Sequence, residues 1–432
     1  YNALFSNTTG SNNVANGYEA LYTNTTGGFN TATGYEALKM NETGEKNTAN
    51  GYQALLNNTT GFNNVANGWQ ALYTNTTGNS NIATGTGALY NNTTGYGNVA
   101  TGRNAINNNS TGYENTANGH WALASNETGN NNTANGSNAL YHNTTGDNNV
   151  ANGRGALRHN TSGSQNVANG MMALSSWNVG NNNVANGYAA LWKNTTGNSN
   201  IANGSGTLQN NTTGGSNTAI GNGALSGNLS GNWNTAIGEA TLYNNTTGQQ
   251  SVAIGFQALY KNKTGSYNTA IGHSAGDSVN GNYNTFLGVY TNSNSSSHYY
   301  STAIGYGATI TASSQIVLGR TGNSTVRIYG ATTATSYSTS SDYRIKENVV
   351  PISDTSYNID NLRPVTYTNT KTEKQDFGVI AHELQEQMPF LVTGEKDGEH
   401  HQSVNYNGLI GLLLNEVQQL KKRVQELEQS KP

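Results

Sequence analysis

Ser341 and Lys346 lie in the run Ser341-Asp342-Tyr343-Arg344-Ile345-Lys346-Glu347-Asn348, at the head of the last 92 residues of a 432-residue chain. A serine and a lysine can together perform acyl transfer. The hydroxyl becomes a useful nucleophile only when a base takes its proton, and an amine serves as that base only when burial or nearby cations push its pKa towards neutrality. Five residues separate two side chains onto opposite faces of a strand, or by about 140° around a helix, so the pair needs a bend or a second chain to meet. On spacing alone the run also reads as a charged turn.

The surroundings of that run differ sharply on its two sides. All four prolines (Pro351, Pro364, Pro389, Pro432) and 24 of the 43 charged residues fall after Ser340, so the two sides demand different folds. Net charge is −3 with no cysteine. That leaves no basic footprint for nucleic acid, no polybasic membrane patch, no disulfide framework and no cysteine-built zinc site. No apolar run approaches the ~18 residues of a membrane span, so no membrane insertion is expected. The chain opens at Tyr1 with neither Met nor a signal peptide, which reads as a fragment or a processed product.

The proline-free part is a repeat of 17 residues. Glycines recur from Gly17 to Gly272 at that interval without insertion or deletion, and the unit reads G-x-x-A-L-x-x-N-x-T-G-x-x-N-[TVI]-A-[NTI]. Disorder gives no reason to hold Leu at position 5 and Ala at position 16 in phase, so the tract is a folded array. Two glycine corners and two short apolar segments predict a β-solenoid coil of strand, turn, strand, turn. Some eighteen coils at about 4.8 Å each give a rod on the order of 85 Å. Asn at position 14 is expected to form an amide ladder between coils, broken at Ser251. So thin an apolar content per coil predicts a core shared with neighbouring chains. Boundaries are placed at 1–287 for the solenoid, 288–340 for degenerate repeats, neck and linker, and 341–432 for a separate domain.

Runs such as Asn268-Thr269-Ala270-Ile271-Gly272 and Ser251-Val252-Ala253-Ile254-Gly255 resemble the head repeats of trimeric autotransporter adhesins. That resemblance implies a left-handed β-roll in a threefold bundle. The last 92 residues resemble the C-terminal intramolecular chaperone domain of endosialidase-type phage tail spikes and tail fibres. The likeness runs from the Ser341 motif through Phe377-Gly378-Val379-Ile380-Ala381-His382-Glu383 and Pro389 to Val404-Asn405-Tyr406 with Leu409 and Ile410. It implies a Ser341–Lys346 dyad that cuts the Ser340–Ser341 bond once a trimer has formed. Asp342, Arg344 and Asn348 match supporting positions of the motif.

Ile410, Leu413, Val417, Leu420, Val424 and Leu427 step by three and four, the seam of a coiled coil placed at 409–429. The fold class is therefore mainly β, a trimeric solenoid followed by a small α+β domain ending in a coiled-coil helix. Tyr18, Tyr35, Tyr52 and Trp69 at position 2 set aromatic rings beside amides, a combination suited to glycans. The partners expected are the chain itself, as a homotrimer, and a cell-surface glycan or protein receptor; no nucleic acid, cofactor or metal is expected. Asn-Thr-Thr triplets match glycosylation acceptors but recur because the turn recurs, and Glu399, His400 and His401 read as a solvated loop. The function expected is attachment by a phage tail fibre or surface adhesin, on the virion tail or at the cell surface, with self-cleavage as its one enzymatic act. Alternatives are a bacterial adhesive fibre with an uncleaved chaperone, an ice-binding solenoid, and a glycan-degrading spike; the last would need paired carboxylates, and only 9 acidic residues precede Ser341.

Overall fold

The computed structural model describes residues 1–320, 349–352, 359–368, 370, 373, 375–398 and 401–430. The chain divides into two compact units, Tyr1–Tyr329 and Gly330–Pro432.

In the first unit each coil contributes one three-residue strand, from β1 (Val14–Asn16) to β16 (Thr269–Ile271), then β17 (Thr285–Leu287), β19 (Thr302–Ile304) and β21 (Ile316–Leu318). These strands pair in parallel, residue on residue one coil apart: Ala15 lies on Ala32, and Ala151 on Ala168. A minor pair, β18 (Asn292–Ser293) and β20 (Thr309–Ile310), forms beside the main sheet. The middle residue of each strand, position 16, points inward, and its neighbours at 15 and 17 point outward.

The second apolar segment of the repeat is not a strand. Position 5 adopts a left-handed conformation in coil after coil, from Ile106 at φ 47° to Leu4 at 54°, as does position 3. A left-handed L-residue costs about 1–2 kcal/mol, comparable with the 1.5–3 kcal/mol gained by burying a leucine completely. The reward is directional: Glu36 donates its N–H back to Tyr18 O at 2.8 Å while Leu38 donates forward to Ala54 O at 3.0 Å. The corner thus bonds to both neighbouring coils, as a strand would, while turning.

The core closes within one chain. The Ala and Leu ranks at positions 4, 5 and 16 are fully buried, which corrects the expectation of a core shared between chains. A coil this narrow needs few apolar atoms because amides fill the rest of its interior. At position 14, Asn98 accepts the N–H of Asn115 on Oδ1 at 3.0 Å and donates from Nδ2 to Gly112 O at 2.9 Å. A second column, at position 8, was not singled out from the sequence: Asn109 donates from Nδ2 to Asn92 Oδ1 and to Gly112 O, both at 2.7 Å. The position-11 glycine carbonyl therefore receives both columns. These position-8 asparagines are the ones in the Asn-Thr-Thr triplets, and they are buried. The column ends at Asn262, whose Oδ1 is buried without a partner because Val279 occupies the next rung.

Glycine at position 1 is fixed by contact. A Cβ on Gly119 would lie 2.7 Å from Gly136 O, at φ +142°. Where the repeat decays, volume is conserved: Gly276 stands at the leucine position, and Phe286, fully buried, at the alanine position.

Replacing Asn126 by Ala strands a donor and an acceptor on its neighbours in the column, a loss of about 2–4 kcal/mol. Gly119→Ala is expected to be at least as harmful, and Glu127→Ala, on the exposed turn, to stay within about 0.5 kcal/mol. Denaturant melts of the three variants test this order; an Asn126→Ala melt that matches wild type would refute the amide column as a source of stability.

Candidate functional site

The second unit is built on a hairpin. β22 (Val365–Thr368) pairs antiparallel with β23 (Gln375–Gly378), and α1 (Ala381–Gln387) follows. A single 3-10 turn, Pro389–Leu391, leads into β24 (Val392–Thr393), which pairs with β25 (Ser403–Val404). α2 (Tyr406–Gln429) begins at Asn405, whose side chain accepts the N–H of Gly408 at 3.3 Å. Its first turns close a small core, in which Leu409 and Leu412 join Leu384, Met388, Leu391 and Val392.

Arg363, just before β22, grips Glu383 on α1 with two hydrogen bonds, of 2.5 and 3.2 Å. The guanidinium holds the Glu383 carboxyl below the usual carboxylate range, and Glu383 in turn raises Arg363. The pair links the segment before β22 to α1 across the surface. On the other side, Pro364, Phe377, Tyr406, Leu409, Ile410 and Leu413 line an apolar groove of ≈ 560 Å³.

After Leu412 no further residue of α2 joins that core among the described residues. All six seam residues are exposed, from 45% at Val424 to 65% at Leu420. The spacing read from the sequence thus corresponds to a continuous apolar face on a single helix.

The expected dyad, Ser341 and Lys346, with Asp342, Arg344, Asn348 and the cleavage-site residue Ser340, lies outside the described residues, as do Glu399 and His400.

On the solenoid, Tyr18, Tyr35, Tyr52 and Trp69 form one column with Tyr1. Successive centroids are 5.1–6.3 Å apart and the rings lie within 10° of parallel. Stacking in this way spends most ring faces on other rings, so the column offers solvent mainly ring edges and hydroxyls.

A different aromatic group escaped the sequence reading. Trp121 meets Tyr141 edge-on, Tyr141 meets His142 edge-on, and His142 stacks on His159, with Trp177 tilted against both imidazoles. Burial first, and then the Arg158 charge, push His142 below its ordinary pKa; burial, His142 and Arg158 do the same to His159. The signal was present at position 8, where asparagine recurs from Asn7 to Asn262 and gives way to tryptophan at residue 177 alone.

Residues 341–393 match the family described as chaperone of endosialidase. A stretch of 81 residues is 37% identical to the long tail fiber protein Gp37 of Escherichia phage AR1, covering 17% of this chain and 7% of that protein. The chain therefore carries an endosialidase-type chaperone domain and is tail-fibre-like in sequence.

A histidine whose folded pKa is lowered takes up its proton more readily in the unfolded chain. Stability from the His142–His159 pair is thus complete above the ordinary histidine value of 6.5 and falls as the pH drops below it. Amide exchange in the coils spanning 136–187 is expected to quicken between about pH 7.5 and 5.5, after correction for intrinsic rates. The double variant His142→Gln/His159→Gln should remove that dependence; its persistence would count against the pair as the source.

Proposed function

We propose that this chain is a homotrimeric fibre protein for cell-surface attachment, located on a phage tail, whose C-terminal domain assembles the trimer and then releases itself. The observation that carries the reading is the chaperone match that begins at Ser341, the first residue of the Ser-Asp-x-Arg-x-Lys run. Resemblance to a long tail fibre protein supports the location and the attachment role.

Self-association is supported by two exposed apolar surfaces without an apolar partner among the described residues. One is the exposed seam of α2. The other is a row on the outer face of the main sheet, where Asn or Thr at position 17 gives way to Ile220, Ile237, Ile254, Ile271, Leu287, Ile304 and Leu318, paired in register. Such a row runs about 29 Å along the coils. The heptad leaves the strand number open, and the resemblance of both parts to trimeric proteins favours three.

In the cleavage step Lys346, as a neutral amine, takes the proton of the Ser341 hydroxyl. Oγ of Ser341 attacks the carbonyl carbon of Ser340; the C–N bond breaks and the amine of Ser341 leaves with a proton from the lysine. Water then hydrolyses the Ser340 ester, which frees residues 341–432. Residues five apart meet only through a bend or a second chain, and in this reading assembly of the trimer supplies the second chain.

Wild type and Ser341→Ala run side by side on SDS gels, heated and unheated, test the reading. A product shorter by 92 residues in wild type only, oligomeric before heating, is the expected result. Identical full-length bands would overturn self-cleavage and leave a fibre with a retained chaperone. Val417→Asp with Leu420→Asp, on the exposed seam, should abolish both the oligomer and the cleavage, whereas Ser341→Ala should abolish cleavage alone.

A further inference from the structure

The coil that begins at Gly170 breaks the position-8 rule and repairs it. Asn178, one residue late, enters the column: it donates to Asn160 Oδ1 at 3.1 Å and accepts from Asn194 at 3.0 Å. Most rungs elsewhere are 2.7–2.8 Å, so continuity is kept at the expense of bond length. The slip sets Trp177 outside the coil, 59% exposed, with its centroid 4.9 Å from His159 and 5.2 Å from His142. A departure from an otherwise consistent repeat that weakens the column and exposes a tryptophan points to function rather than packing.

Two further observations give the site a chemistry. Ring contacts here are tilted or edge-on, from 30° to 89° except within the histidine pair, unlike those in the parallel column at Tyr18, and Trp177 leaves 59% of its surface to solvent. Arg158 adjoins the two histidines and makes no ion pair among the described residues; its Nε and the Nδ1 of His159 are buried without hydrogen-bond partners. An open indole face takes the C–H face of a sugar ring, and an uncompensated guanidinium takes a carboxylate in a bidentate grip.

We propose that Trp177, His142, His159 and Arg158 form a binding site for an acidic saccharide, with the pyranose ring stacked on the Trp177 indole and its carboxylate on Arg158. This inference rests on the attachment reading and gives it a ligand class and an address. Trp121 and Tyr141 extend the same surface towards the N-terminal coils, which suits a chain of sugars rather than one residue.

The test is titration of the full chain with galacturonic acid trisaccharide and with neutral cellotriose, followed by calorimetry. Wild type should respond saturably to the acidic sugar, with at least tenfold weaker binding of the neutral one. Trp177→Ala should lose the response while its melt is unchanged, because Asn178 still fills the column. Arg158→Gln should bind both sugars alike and weakly. No saturable response in wild type, equal affinity for the two sugars, or undiminished binding by Trp177→Ala would each overturn the site. Retention on bacterial cells is scored separately. If wild type and Trp177→Ala decorate cells equally, this site falls and attachment stands; if no cell retains wild type although the acidic sugar binds, attachment falls and the site stands.

Discussion

The distance between successive coils governs the first unit. At position 1 each glycine faces the next coil's carbonyl so closely that a methyl group has no room, and at position 11 a Cβ on Gly112 would lie 2.3 Å from the Asn109 amide oxygen and 2.5 Å from Gly129 O. Once that spacing is set, backbone N–H groups through strand and corner are committed to the next coil or the previous one, and proline has no place to enter. Charge is scarce for a related reason. About a third of each coil, positions 4, 5, 8, 11, 14 and 16, faces an interior filled mainly by amides, methyls and leucines, and buried charges there would need partners the repeat does not supply.

The period, the glycine corners and the position-14 ladder were legible in the sequence because they are invariant in phase. The corner conformation was not. Ala-Leu flanked by polar residues reads as a short strand, and nothing about leucine announces a left-handed backbone; the coil-to-coil hydrogen bonds that offset its strain appear only in three dimensions. Apolar atoms alone are too few to fill the interior of a single coil. Asn41, Asn47 and their equivalents fill the remaining volume with satisfied amides, so polar residues behave here as core.

In the second unit the helix and its seam were legible from spacing, since a stripe at steps of three and four has one geometric meaning. The hairpin and the Arg363–Glu383 clamp were not, because residues 20 apart in sequence meet only through the pairing of β22 with β23. Trp177 illustrates the opposite failure. Its signal was plain, a lone exception in a column of asparagines, but an exception carries meaning only when the role of the rule it breaks is known.

The position-8 column also has a direction. Rung after rung donates its Nδ2 hydrogen towards the N-terminus and presents its Oδ1 towards the C-terminus, and Asn262 leaves the last oxygen uncapped. Aligned amides add their dipoles, as they do in an α-helix, with the same sense relative to chain direction. The array is thus polarised along its axis by side chains alone, with a positive pole at the first coils and a negative one where the column stops. Mutual polarisation of bonds in such a chain makes each added coil reinforce those before it. A broken rung near the middle would then split one long dipole into two shorter ones.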